Sequence, residues 1–223
     1  MASHSHDVLR HVPRIITDAG TAPPRMRDWL TITEGVTPRD AATVIVFDAD
    51  GRDAKVWLMM RHGKMTFAPN RVVFPGGAVD PIDLSAPDPI RAAAVRELAE
   101  EADLHLTPED LWLWARWITP VFESRRYDTW FFVARLPEGQ QARDVSGEAD
   151  RADWMRPADA QAAHDAGVIQ LLAPTWSVLK EMADLGSFDA VVAAASDRIV
   201  EPVLGEIRLV DDTYEWYYPG DER

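Results

Sequence analysis

The stretch DPIRAAAVRELAEEADL, residues 88–104, carries the strongest helix signal in this chain. Asp88 can accept hydrogen bonds from the first amides of a helix, and proline suits the first helical position. The residues that follow are rich in alanine, leucine, glutamate and arginine, which favour helix. Apolar side chains recur along one stripe at Ile90, Ala94, Leu98 and Ala102. The stretch therefore predicts a helix that runs to Ala102 with one face buried.

A second face of this helix is acidic. At about 100° per residue, Glu97, Glu100 and Glu101 fall within an arc of roughly 100°. Like charges at these spacings repel by a few tenths of a kcal/mol per pair, whereas Mg²⁺ and Mn²⁺ prefer carboxylate oxygens as ligands. The residues alone leave two interpretations open: a solvated acidic face or a divalent-metal site.

The segment Phe-Pro-Gly-Gly at residues 74–77 precedes the helix. It follows the β-branched pair Val72-Val73, so we expect a short strand to stop there. Glycine lets the backbone turn where other residues cannot, and it lets a carbonyl approach an ion closely. The segment therefore favours the metal-site interpretation of the acidic helix.

The spacing of these residues resembles the Nudix box, the signature of the Nudix hydrolase family. The box reads Gly, five residues, Glu, seven residues, then Arg-Glu-apolar-x-Glu-Glu-x-Gly-apolar. Residues 96–104 match its second half, with Asp103 in place of the last glycine. Seven residues separate Asp88 from Arg96, so Asp88 stands for the first Glu of the box. Ten residues, against five in the box, separate Gly77 from Asp88, which predicts an inserted loop at 81–87.

The resemblance implies a catalytic role for the acidic helix. Glu97, Glu100 and Glu101 would hold Mg²⁺ or Mn²⁺ together with the carbonyl of Gly77, and Arg96 would orient a box carboxylate. The implied reaction is attack of water on a diphosphate linked to another group, with the metal ions screening phosphate charge. The expected partner is therefore a small-molecule nucleotide diphosphate.

The resemblance also implies a general base outside the box. Glu148 lies in a polar loop next to Gly147, after the last long predicted strand, and is the first candidate. Glu123 is the second candidate. An ordinary surface role for Glu148 stays open at this point.

An upstream pattern resembles the coenzyme A diphosphatase branch of the family. In that branch an arginine precedes, at fixed intervals, a second arginine, a glycine and Phe-Pro-Gly-Gly. Here Arg61 and residues 74–77 match in register, whereas Thr66 and Asn70 stand at the second Arg and at the Gly. Arg61 ends a predicted strand, where its guanidinium could bind a phosphate in a bidentate way or form a surface ion pair.

A basic pair, Arg125 and Arg126, stands out in an acidic chain. It begins a segment, residues 125–132, that is similar to the branch containing the peroxisomal coenzyme A diphosphatase, which also carries an insertion in its box. The pair is a candidate for binding a substrate phosphate, with charge balance as the alternative.

The resemblance defines the bond that is cleaved and not the attached group. Coenzyme A or an acyl-coenzyme A is the first candidate substrate, and ADP-ribose, dinucleotides and nucleotide sugars are the alternatives. A Nudix-fold regulator that binds a nucleotide without turnover is the rival from another class. The intact glutamates at positions 97, 100 and 101 disfavour that rival.

The elements around the acidic helix predict an α/β fold, a Nudix-type α/β/α sandwich with a mixed sheet and a C-terminal helical extension. Two apolar runs joined by a polar turn predict a hairpin, and two longer runs predict long strands. The predicted strands cover residues 41–47, 55–61, 111–118 and 127–136, and the C-terminal helices cover 157–166, 174–185 and 187–195.

These elements divide the chain into three parts. Residues 1–40, with four prolines, predict an N-terminal arm that lies on the surface. Residues 41–156 form the predicted catalytic core, and residues 157–223 form a helical extension packed on the same domain. The extension could cover part of the substrate or form a homodimer interface, and its residues leave both open.

Three tryptophans lie on the first of the two long strands. By strand alternation, Trp112 and Trp114 face one side of the sheet and Trp117 faces the other. Core or interface packing is the favoured role, and stacking on a nucleotide base is the alternative.

Composition limits the classes of function. The 223 residues include 37 acidic and 23 basic side chains, a net charge of −14 that disfavours binding to nucleic acids and anionic membranes. Cysteine is absent, which excludes disulfides and thiolate metal sites. No apolar run approaches the roughly 20 residues of a membrane helix, and the first residues do not resemble a secretory leader. The expected location is the cytoplasm.

Overall fold

A computed structural model of the chain describes residues 8–14, 17–49, 51–63 and 70–221. Its helices include α1 (Pro24–Trp29), α2 (Pro89–Ala102), α3 (Pro157–Asp165), α4 (Ala173–Leu185) and α5 (Phe188–Ser196), with 3₁₀ turns at Asp83–Ser85 and Pro108–Asp110. Its strands are β1 (Thr17–Asp18), β2 (Arg39–Phe47), β3 (Val56–Arg61), β4 (Val72–Val73), β5 (Gly76–Ala78), β6 (Trp112–Ile118), β7 (Tyr127–Arg135), β8 (Ala149–Met155), β9 (Pro202–Leu204), β10 (Glu206–Val210) and β11 (Thr213–Tyr217).

A mixed sheet forms the middle layer, in the order β4-β3-β2-β7-β6-β9. β2 runs parallel to β7 along its whole length, from Arg39 opposite Tyr127 to Phe47 opposite Arg135. β9 is parallel to β6, and β6 is antiparallel to β7. β5 adds to β2 and β8 adds to β3, both antiparallel. The mixed sheet that the strand order predicts is confirmed.

Strands β2 and β3 form less of a hairpin than the sequence predicts. They pair at Phe47 and Val56, beside the turn, and then diverge. The first half of β2 pairs with β5, and β3 pairs with β8. Gly76 allows this close approach, because a Cβ at that position would lie 2.3 Å from the carbonyl oxygen of Ala42. The predicted hairpin is confirmed at its turn, and away from the turn the glycine segment joins the sheet beside β2 as β5.

Helix α2 covers one face of the sheet. Its Ala94 and Leu98 are fully buried and lie in one apolar cluster with Val44, Val46 and Phe132 of the sheet. Burying a leucine side chain contributes about 1.5–3 kcal/mol. This stripe therefore fixes which face of α2 turns toward the sheet and leaves the glutamates at its edge.

The C-terminal helices cover the other face. Leu179 of α4 and Val191 of α5 are fully buried and pack in one cluster with Ile45 and Val133 of the sheet. The predicted α/β/α sandwich with C-terminal helices is confirmed. The end of the extension is not helical, because β11 pairs with β10 and with β1 in a separate small sheet.

The ends of α2 lie where the sequence predicts. Oδ1 of Asp88 accepts hydrogen bonds from the amides of Ile90 and Arg91, each at 3.1 Å. The helix ends at Asp103, whose φ of 55° lies in the left-handed region. That region favours glycine, but aspartate adopts it more readily than most residues.

The three tryptophans of β6 do not alternate as predicted. The register between β6 and β7 shifts between Leu113 and Ala115, and the irregularity turns the later residues over. Trp114 and Trp117 are both buried in the cluster under α4 and α5, and Trp112 packs against the same cluster. The prediction that Trp117 faces the opposite side is wrong, since strand alternation holds only in a regular ladder. The three rings pack in the core, as favoured.

The N-terminal arm is more deeply packed than a surface arm would be. Leu9 and Val12 are each 2% exposed and belong to the cluster under α4 and α5. Arg14 donates to Oδ1 of Asp221 at 2.7 Å, which ties the arm to the C-terminal hairpin. Each helix within the described ranges is too short or too polar to span a bilayer.

Candidate active site

Strand β5 and helix α2 bring the glycine segment against the predicted glutamates. A Cβ on Gly77 would lie 2.2 Å from Oε1 of Glu97, so a side chain at this position would displace the carboxylate. The amide of Gly76 donates a hydrogen bond of 2.8 Å to Oε2 of Glu101. The two glycines therefore form one wall of a small acidic site.

Arg96 connects the acidic residues of the site. Its Nη1 donates to Glu97 at 2.9 Å and to Glu100 at 3.0 Å. Its Nη2 donates to the carbonyl of Ala78 at 3.0 Å and to Asp83 at 2.8 Å. The hydrogen bond with Asp83 raises the pKa of Arg96 above its usual range. One guanidinium thus holds three carboxylates and the end of β5.

Asp83 is the residue that the sequence analysis missed. It is 4% exposed, and its hydrogen bonds with Arg96 lower the pKa of its carboxyl. Five residues separate Gly77 from Asp83, which is the spacing of the box. The first acidic position of the box is therefore better assigned to Asp83 than to Asp88, which caps α2. The extra residues then follow Asp83, and this five-residue spacing was the signal available in the sequence.

Burial sets the electrostatics of the two inner glutamates. Desolvation raises the pKa of Glu101 to about 7, opposed by the hydrogen bond from Gly76 and by the charge of Arg61. Desolvation also raises the pKa of Glu97, against the hydrogen bond from Arg96. Glu100 differs, since its side chain is 60% exposed. The inner carboxylates are therefore placed where a nearby cation would favour their charged forms.

Arg61 and Glu148 meet beside Glu101. Nη2 of Arg61, at the end of β3, lies 3.5 Å from Oε2 of Glu148, and the amide of His62 donates to the carbonyl of Glu148 at 2.9 Å. The charges of both Arg61 and Glu148 act on Glu101. Within the described part of the chain, the buried Nε of Arg61 has no hydrogen-bond partner. The structure therefore brings these two predicted residues to the acidic helix.

The other candidates that the structure describes lie in the segment just before β7. Arg126 is buried and donates to the carbonyls of Thr119 at 2.9 Å and of Val36 at 2.8 Å, so it fixes backbone. Arg125 and Glu123 are exposed before β7. Thr66 lies outside the described residues.

Asn70 supports the register of the upstream pattern. It stands where the coenzyme A branch has glycine, and its φ is 56°. Asparagine and aspartate adopt the left-handed region more readily than other residues with a side chain. This chain departs from the patterns at two glycine positions, which are Asn70 and Asp103. Both residues therefore keep the left-handed backbone that glycine would adopt.

The donor set fits a divalent cation in its chemistry. In the described ranges, no group of three His, Asp or Glu side chains is already arranged to hold an ion; Arg96 contacts Glu97 and Glu100 instead. Carboxylates and a glycine carbonyl are the hard oxygen donors that Mg²⁺ and Mn²⁺ require. The raised pKa of the buried Glu101 carboxyl also marks a negative charge that lacks full compensation.

A comparison with protein families decides the assignment. The NUDIX domain profile matches residues 37–173, more than half of the chain. The chain belongs to the Nudix family. Members of this family generally use divalent metal ions. The matched range extends beyond the predicted core of residues 41–156 and includes α3.

Relatives and solved structures of Nudix proteins agree with this assignment. A Caenorhabditis elegans relative named as a nudix hydrolase is 27% identical over 68% of this chain and 62% of its own length. Human acyl-coenzyme A diphosphatase is 27% identical over 89% of this chain and 55% of its own. A crystal structure of a NUDIX hydrolase from Alicyclobacillus acidocaldarius, 25% identical, superposes with a TM-score of 0.64 over 74% of this chain and 99% of that one. The chain thus spans about 55–62% of the length of these two curated relatives.

Replacing Asp83 by asparagine tests its role as the partner of Arg96. The free energy of unfolding is expected to fall by about 1–3 kcal/mol, because a buried charge-assisted hydrogen bond is lost. Asp88→Asn is the matched control, since asparagine caps helices as well as aspartate does, and its effect should stay under about 0.5 kcal/mol. Urea denaturation measures both variants. Equal losses of unfolding free energy in the two variants would reject Asp83 as the partner of Arg96.

Glu101→Gln tests the burial of Glu101 in chelator-treated protein. A pKa raised from 4.5 to about 7 means that the fold favours the protonated carboxyl. The wild type therefore loses stability as the pH rises from about 5 to about 8, and the variant is spared this loss. We expect the stability of the variant relative to the wild type to increase by about 2–3 kcal/mol between pH 5 and pH 8. A pH-independent difference in urea denaturation would contradict the shift.

Proposed function

We propose that the chain is a divalent-metal-dependent hydrolase of a nucleoside diphosphate linked to another group, with coenzyme A or an acyl-coenzyme A as the substrate. The observation that carries the proposal is the set of glutamates on α2, which Arg96 and the glycines of β5 hold together. The family match supports hydrolase chemistry. The intact acidic set disfavours a regulator that binds a nucleotide without turnover.

Glu97, Glu100, Glu101 and the carbonyl of Gly77 are the groups that would hold Mg²⁺ or Mn²⁺. When bound, the metal supplies charge to screen the diphosphate and to activate a water molecule. Nη1 of Arg96 binds the carboxylates of Glu97 and Glu100 together and offsets the repulsion between their charges. Asp83 in turn holds Arg96, so these two residues orient the ligand set without touching substrate.

Glu148 is the proposed general base. Its side chain is 47% exposed, so water and substrate can reach it, and it lies beside Arg61 and Glu101. A carboxylate in this position can accept a proton from the attacking water at one of its oxygens. Glu123 carries less support, because it lies in the turn before β7, whereas Glu148 contacts Arg61 beside Glu101.

Arg61 is the proposed ligand of the substrate diphosphate. Its guanidinium side chain is 17% exposed at the edge of the site, and its Nε lacks a partner within the described residues. A phosphate oxygen would bind the exposed edge of this guanidinium through a charge-assisted hydrogen bond. Arg125, exposed at the start of β7, is the proposed contact for an outer phosphate, and the buried Arg126 supports it by fixing the adjacent backbone.

Three observations support coenzyme A compounds as the substrates. Arg61 and the Phe-Pro-Gly-Gly segment match the pattern of that branch in register. The box carries an insertion, as it does in the branch that contains the peroxisomal enzyme. Human acyl-coenzyme A diphosphatase is among the relatives. Water would add across the diphosphate and give a phosphopantetheine product and a 3′,5′-bisphosphate nucleotide.

Product analysis by mass spectrometry tests this proposal. A panel of coenzyme A, acetyl-coenzyme A, ADP-ribose, NADH and a nucleotide sugar is incubated with Mg²⁺ or Mn²⁺. We expect selective cleavage of the coenzyme A compounds. Selective cleavage of another member would reject coenzyme A compounds as the substrates and leave diphosphate hydrolysis as the reaction. Tight binding without turnover of any member would favour the regulator.

Variants separate the roles of Arg61 and Glu148. Arg61→Ala should raise KM about ten-fold or more with a smaller effect on kcat, because it removes a phosphate contact. Glu148→Gln should lower kcat about 100-fold with KM nearly unchanged. Arg151→Ala is the control, since Arg151 forms an exposed ion pair with Asp153 on β8. An unchanged KM in Arg61→Ala, or an unchanged kcat in Glu148→Gln, would reject the corresponding role.

A further inference from the structure

The loop that carries Glu148 is joined to the end of helix α2. The amide of Arg143 donates to the carbonyl of Ala102 at 3.0 Å, and the amide of Val145 donates to the carbonyl of Glu101 at 3.2 Å. Carbonyls in the last turn of a helix have no partner within the helix. The loop supplies two of those partners, so it is docked on the turn that contains Glu101.

Asp103 adds a side-chain contact that the usual box could not make. Its carboxylate accepts from Nε of Arg143 at 2.7 Å, and Nη2 of Arg143 lies 2.5 Å from the same oxygen. The box has glycine at this position, which has no carboxylate. Asp103 keeps the left-handed backbone and gains a charged partner. The departure from the box therefore has a structural consequence specific to this chain.

A second contact holds the beginning of the loop. The amide of His105 donates to Oε1 of Gln140 at 2.8 Å, and Nε2 of Gln140 donates to the carbonyl of His105 at 2.9 Å. The loop is therefore held to the segment after α2 at Gln140 as well as at Arg143 and Val145.

A short rigid turn links these contacts to Glu148. The hydroxyl of Ser146 donates to Oδ1 of Asp144 at 2.8 Å and accepts from the amide of Glu148 at 3.0 Å. The amide of Ser146 also donates to Asp144 at 3.1 Å. Few backbone torsions therefore remain free between the docked residue Val145 and Glu148, where the loop meets Arg61.

We propose that Asp103 and Arg143 form a clamp that positions Glu148 against the acidic helix for proton transfer. The role in catalysis rests on the proposed function, in which Glu148 is the general base. Asp103 and Arg143 are positioning residues, because they act through the loop and not on the substrate. Arg143 is 72% exposed, and exposed ion pairs contribute little to global stability. Loss of the Asp103–Arg143 ion pair is therefore expected to make the loop more mobile and to lower kcat, with little change in global stability.

Hydrogen exchange tests whether the clamp holds the loop. Asp103→Gly removes the carboxylate and keeps a residue suited to the left-handed helix end, and Arg143→Gln removes the other charge. In both variants, amides of residues 141–148 should exchange about five-fold faster, while those of residues 90–98 stay unchanged. Arg156→Gln is the control, because it breaks an exposed pair with Asp159 at the start of α3. Unchanged exchange in residues 141–148 would overturn the clamp.

A double-mutant cycle tests whether the clamp acts through Glu148. Arg143→Gln should lower kcat about three- to five-fold with KM unchanged in the wild-type background. In the Glu148→Gln background the same change should have an effect of less than about two-fold, since the positioned group is gone. A loss of equal size in both backgrounds would overturn positioning of Glu148, even where exchange shows a loosened loop.

Failure of the proposed function gives a different result. If Glu148→Gln itself keeps the wild-type kcat, Glu148 is not the base, and the positioning role is overturned together with that assignment. If the wild type cleaves none of the substrates, the catalytic role is likewise overturned. In either case the exchange measurement still decides whether Asp103 and Arg143 hold the loop.

Discussion

The guanidinium of Arg96 is the group on which the site depends. It binds Asp83, Glu97, Glu100 and the carbonyl of Ala78. Carboxylates at neighbouring helical positions repel one another, and burial makes their charges costlier still. A single cation that contacts three of them offsets this repulsion. Because the same cation holds the end of β5 and Asp83, the ligand set and the edge of the sheet are fixed together.

Backbone conformation explains how this chain tolerates its departures from the family pattern. Asn70 and Asp103 replace glycines and keep left-handed φ values of 56° and 55°. Gly76 and Gly77 stay glycine because a side chain there would strike β2 or Glu97. Glycine is therefore required where two elements touch and leave no room for a side chain. Where the chain only turns, a residue that adopts the left-handed conformation can replace it. At Asp103 the added carboxylate reaches the loop that carries Glu148.

The sequence predicted those features that depend on local periodicity. The cap at Asp88, the apolar stripe of α2 and the acidic face follow from helix geometry, and the structure confirms the helix from Pro89 to Ala102. Asp83 was missed because counting back from Arg96 assumes the usual seven-residue spacing, and the insertion breaks it. The facing of Trp117 and the pairing of β5 with β2 depend on contacts between distant segments. Such contacts leave little trace in local composition.

Binding of Mn²⁺, followed by electron paramagnetic resonance, tests whether α2 carries a metal site, because it reports the ligand set without substrate. Wild-type protein is titrated beside Glu101→Gln and Asp88→Asn. We expect saturable binding by the wild type, affinity at least about ten-fold weaker in Glu101→Gln, and no change in Asp88→Asn. Equal affinity of the wild type and Glu101→Gln, or no bound Mn²⁺ in the wild type, would contradict the claim that α2 carries the metal site.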